Sequence, residues 1–173
     1  ILLAQIQLQQ AARIDIDDDG AGEFGGLLEL SGAAPGRQSG TLQPALLSGS
    51  FRVVNANGEA KRGGYLFRIH LPDVAGAGVG EPAAGYADDG TVDTDRAESA
   101  WVAYAWPVHA QGADTRVYVA NQSGFLLSTR DGRYAGTGAG PAADAAFVVP
   151  GSMMGALALD APAADGNVWI AVR

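Results

Sequence analysis

The order of the periodicities constrains this chain more than any single motif: a helical stripe comes first, and every two-residue alternation comes after it. Ile1, Ala4, Leu8, Ala11 and Ala12 recur at helical spacing, with Gln5, Gln7, Gln9 and Gln10 as polar flanks. This stripe predicts an assembly helix over 1–14, one face against the sheet and the other free to pack on neighbouring helices. Further along, Tyr65, Phe67, Ile69 and Leu71 alternate with Leu66, Arg68 and His70, the clearest strand in the chain. Helix first and strands later, without βαβ alternation, predicts an α+β fold: an N-terminal α-helix packed on an antiparallel β-sheet, with long Gly- and Asp-rich loops. The Gln-Ile-Gln-Leu-Gln alternation in the first segment also permits a strand there.

Other elements follow from local chemistry. Residues 24–30 predict a short helical turn ended by Ser31-Gly32, 42–47 a second one, and 51–54 a strand. Asn57-Gly58 is a turn signal, and 72–95 reads as a long surface excursion. Residues 101–108 form a strand whose Pro107 belongs at a strand end or sheet edge. Asn121-Gln122-Ser123-Gly124 joins 116–120 and 125–129 in a hairpin, and 168–172 is a last strand whose Trp169 must be buried.

With 25 glycines among 173 residues, large side chains are sparse, so the core should be thin and built on a sheet. The length fits one domain over 1–173: the end of a helix (1–14), an acidic loop (15–26), a sheet region (50–146) and a C-terminal extension (147–173). A formal net charge of −8, with Lys61 the only lysine, argues against nucleic acid as a partner. Cysteine is absent, which excludes disulfides, thiolate metal sites and thiol nucleophiles. The start on Ile-Leu-Leu has neither Met nor the features of a signal peptide, which predicts a preceding segment.

The run from Asp15 to Glu23 carries the strongest chemical pattern. Asp15, Asp17, Asp19 and Gly20 match the first half of an EF-hand loop, where alternate oxygens face Ca2+ and Gly permits the bend. The twelfth position is Gly26 instead of Glu, so the pattern predicts a looser metal site from Asp15, Asp17, Asp19, Glu23 and a backbone carbonyl such as that of Ala21. A solvated acidic turn is an equally good reading. A second, weaker acidic loop holds Asp88, Asp89, Asp93 and Asp95, where hydrated Asx turns are the better reading.

Nothing in the sequence calls for catalysis. His70 lies in the strongest strand and His109 just after Pro107, with no zincin helix or nucleophile elbow near either. The aromatic set Tyr65, Phe67, Trp101, Tyr104, Trp106 and Tyr118 reads as core and cross-strand pairs before it reads as a stacking platform.

Several segments in order resemble the type IV pilin-like proteins, including the type II secretion pseudopilins: 4–10 as the end of the long helix, 15–23, 24–30, 64–67, 97–101, 103–107 and 117–124. The prepilin cleavage site and hydrophobic helix of that family are not in the sequence. The resemblance implies a filament subunit of a pilus or pseudopilus, not an enzyme. It further implies that other copies of itself or related pilins, and the secretion or assembly machinery, are its partners. It also implies an extracellular or periplasmic location, with inner-membrane anchoring before assembly. The alternative is a secreted calcium-dependent binding module, for glycan if Trp101 or Trp106 is exposed beside an acidic loop.

Overall fold

A computed structural model of the chain describes Ile6, residues 14–110 and residues 115–172. The described residues form one antiparallel sheet of seven strands: β1 Ala60–Arg62, β2 Tyr65–Pro72, β3 Gly78–Gly80, β4 Val102–Pro107, β5 Arg116–Asn121, β6 Leu126–Arg130 and β7 Ile170–Ala171. The order across the sheet is β1-β2-β4-β5-β6-β7, and β3 also pairs with β2. Register is set by apolar alternation: Phe67 lies opposite Ala105 and Ile69 opposite Ala103 on one face, while Leu66 lies opposite Trp106 on the other. The hairpin at 121–124 forms as expected, with Gly124 at φ 84°.

The expected α+β architecture is overturned. Among the described residues, helix is limited to α1 Leu27–Leu30, α2 Thr94–Ala97 and the single position Ile6, and no N-terminal helix packs on the sheet. From residue 15 onward the physical reason is the density of Gly and Pro, which interrupts almost every segment before a helix can extend past its costly first turn. The assembly-helix residues Ile1, Ala4, Leu8, Ala11 and Ala12 lie outside the described residues. Three smaller expectations also change. Residues 42–47 form bends, and 51–54 become the end of a 3-10 turn, Gly49–Phe51, followed by a bridge from Val54 to Ala60. The 72–95 segment is no mere surface excursion, for it contributes β3 and buries Glu81, Tyr86 and Val92.

Both faces of the sheet are covered by irregular chain. The first face packs Phe67, Ile69, Leu71 and Trp101 against an N-terminal layer that supplies Ile6, Phe24, Leu27, Leu30 and Phe51. The second packs Tyr104, Trp106, Val119 and Leu127 against a C-terminal layer with Phe147, Met153 and Trp169. The C-terminal extension therefore closes over its own sheet and adds β7 to it. Each face buries enough aromatic and aliphatic surface to hold a layer of loops in place.

Candidate functional site

The acidic loop is closed at its base by a two-way bridge, Ile14 N–H to Glu23 O at 3.2 Å and Glu23 N–H to Ile14 O at 2.7 Å. Inside it, Gly20 N–H donates to Asp15 Oδ2 at 3.1 Å and Ala21 N–H to Asp19 Oδ1 at 2.8 Å. Asp18 and Gly20 both take positive φ, 59° and 93°, which turns the backbone sharply enough to bring alternate carboxylates to one side. Asp15, Asp17 and Asp19 offer oxygens within 4.8 Å of one another, and Asp17, Glu23 and Glu98 form a second such group. Sequence reasoning placed the first four together but not Glu98. It stands just after α2, far along the chain, and reaches the loop because Phe24 N–H bonds to Ala97 O at 2.9 Å.

Glu23 is fully buried, and its carboxylate accepts the Ile16 N–H at 3.0 Å. Burial pushes its pKa up, and the Asp17 charge adds to that. A cation among these carboxylates would reverse both effects, and the all-oxygen donor set suits a hard ion such as Ca2+. The second acidic loop is arranged differently. Asp93 caps α2 by accepting Arg96 N–H at 2.9 Å, Asp89 accepts Thr91 N–H at 2.9 Å, and Asp88 and Asp95 are exposed. Among the described residues no three of these four carboxylates converge.

A cavity of about 320 Å³ lies at the β2/β3 end of the sheet, lined in part by Asn57, Glu59, Arg68, Pro82, Trp106 and Pro141. Glu59 accepts Asn55 Nδ2 at 2.6 Å through one oxygen and Gly138 N–H at 2.9 Å through the other. Trp106 donates its indole N–H to Gly136 O at 2.9 Å. Glu81 reaches the cavity wall, yet its carboxylate belongs to the N-terminal layer, where it accepts Leu27 N–H at 2.6 Å and Leu28 N–H at 2.9 Å. Burial pushes Glu81 up to about 8 against the pull of those donors. No sequence signal marked it: Gly80-Glu81-Pro82 reads as loop.

The histidines do not assemble a catalytic pair. His70 is buried edge-on to Tyr104, its two nitrogens have no hydrogen-bond partner among the described residues, and burial lowers it to about 3. His109 is exposed. Trp101 and Trp106 are each 1% exposed, so neither ring is a surface platform. The fold and these sites define an antiparallel β-sheet protein with a loop layer on each face. No family model, no curated protein and no solved structure matches the chain.

Proposed function

We propose that the protein is a non-catalytic structural subunit of a filament of the bacterial envelope or surface, pilus or pseudopilus in type, whose acidic loop takes up Ca2+. The observation that carries the subunit reading is the uncovered apolar end of the sheet. Ile170 on β7, Val172 just after it and Phe125 just before β6 are exposed at 52%, 39% and 51%, beside the outer edge of β7. Short edge strands with alternate apolar residues bury that surface by pairing with another copy. The two carboxylate groups that share Asp17, one with Asp15 and Asp19 and the other with Glu23 and Glu98, support the calcium part, because an ion in the second group ties the 15–23 loop to the residue after α2. The glycan-binding alternative loses its expected platform with Trp101 and Trp106 buried.

The test combines calorimetric Ca2+ titration with light scattering of the purified chain. Saturable binding that Asp17→Asn abolishes, together with self-association that Ile170→Asp abolishes, is the expected outcome. A monomer at every concentration, with or without Ca2+, would falsify the subunit reading.

A further inference from the structure

We infer that the cavity beside Gly80 and Gly140 is a binding site for a small carboxylate, held by Arg68 while the apolar remainder of the ligand lies against Pro82. Arg68 sits mid-strand in β2, opposite Tyr104, and projects from the same face as Trp106. Among the described residues its guanidinium makes no hydrogen bond or ion pair, and its Nε is shielded from solvent with no acceptor. Arg68 is half-buried and its Nε lacks an acceptor, so an anion entering the cavity gains a charge-assisted partner there.

The chain's own acceptors nearby are already engaged. Glu59 spends one oxygen on Asn55 and the other on Gly138, and Glu81 directs its carboxylate to Leu27 and Leu28 in the opposite layer. A ligand carboxylate in the cavity would supply the acceptor that the chain does not. The planar fork of a guanidinium matches a carboxylate through two parallel N–H donors.

The walls are shaped for close approach. A Cβ on Gly80 would fall 2.3 Å from Arg68 Cζ, and one on Gly140 would fall 2.5 Å from Trp106 Cζ2, so backbone lies directly against both groups. Pro82 and Pro141 add apolar wall. At about 320 Å³ the space is at the small end of ligand pockets, which selects a small molecule over a polymer segment. With a net charge of −8 the protein does not attract anions from a distance, so recognition depends on contact inside the cavity. The inference is independent of the filament reading.

The experiment is a 15N NMR titration of the whole chain with benzoate, with benzamide as its uncharged counterpart, and with inorganic phosphate. Benzoate is expected to shift the Arg68 Nε–H and Trp106 Nε1–H signals along one saturable curve. Phosphate, lacking the apolar part, should bind about tenfold more weakly, as the loss of one modest apolar contact implies. Arg68→Gln should abolish the benzoate response while keeping a dispersed spectrum. If that variant fails to fold, Arg68→Lys, which keeps the charge but loses the fork, should show the response weakened. A benzamide response equal to that of benzoate, a phosphate affinity equal to benzoate's, a response unchanged in the Arg68 variant, or no saturable shift at all would each overturn the inference.

Discussion

The two layers that cover the sheet solve the same problem with opposite chemistry. The N-terminal layer places charge inside. Arg37 and Glu29 pair at 3.1 Å with side chains 2% and 1% exposed, Arg37 also bonds Phe24 O, and Glu29 accepts the N–H groups of Gly26 and Arg37. The C-terminal layer keeps its ion pair at the rim, Arg133 with Asp131, and fills its interior with Tyr104, Trp106, Phe147 and Trp169. Its loop backbone bonds mostly to itself, and side chains complete it: Tyr104 OH donates to Ala143 O and accepts Ala146 N–H, and Asp165 gathers Tyr134, Asn167 and Trp169. An irregular layer must find partners for its buried amides, and either a buried carboxylate or a buried phenol can supply them.

The contrast can be broken most forcefully at Arg37. Arg37→Met leaves Glu29 buried and uncompensated, so chemical denaturation should show a loss of about 3–5 kcal/mol, with part recovered in the Arg37→Met, Glu29→Met double variant. A loss no larger than that of a surface substitution would mean that the pair contributes little. Across the sheet, Tyr104→Phe strips the acceptor from Ala146 N–H, and the same measurement should register about 1–3 kcal/mol. If Tyr104→Phe were neutral, the phenol would not be what satisfies the C-terminal layer.

Acidity sharpens the comparison, because the two layers respond with opposite sign. His70, lowered from 6.5 to about 3, stays neutral in the fold while the unfolded chain takes up its proton. Its contribution is complete above 6.5 and is lost as pH falls toward 3. Glu81, raised from 4.5 to about 8, keeps its proton in the fold, so its contribution is complete below 4.5 and is lost as pH rises through 8. Each slope is about 1.4 kcal/mol per pH unit inside its window, and between 4.5 and 6.5 the two oppose each other. In pH-resolved denaturation, Glu81→Gln should uncover a stability that climbs from pH 4.5 to 6.5, and His70→Leu one that declines from 4.5 to 8. Identical pH profiles in the two variants would sink this assignment.

How much of this was legible in the sequence follows from periodicity. β2, β4, β5 and β6 could be read because Tyr65, Phe67 and Ile69, or Val102, Tyr104 and Trp106, repeat every second residue over a run long enough to count. The layers could not, since they bury isolated residues such as Phe24, Phe51 and Phe147 that carry no period. The 1–12 stripe, which lies almost wholly outside the described residues, suggested a helix-and-sheet architecture, whereas the described residues form a sheet between loops whose Gly and Pro stop helices early. In the acidic loop the local spacing of Asp15, Asp17 and Asp19 was readable, whereas Glu98 was not, because chain separation hides a neighbour brought in by the fold. Arg68 was visible only as a strand residue, and its lack of an acceptor is a property of its surroundings.

One hydrogen bond, from Gly138 N–H to Glu59 across 79 positions of chain, gives the molecule an order of assembly. The hairpins β4-β5 and β5-β6 join neighbours in sequence and close at small entropic expense, while bringing the 56–59 and 138–141 segments together closes a much longer stretch of chain. The cavity between them is therefore expected to open before the central strands do. Amide exchange there should run faster than in the central strands, and an occupant would slow it by holding the 56–59 and 138–141 segments together.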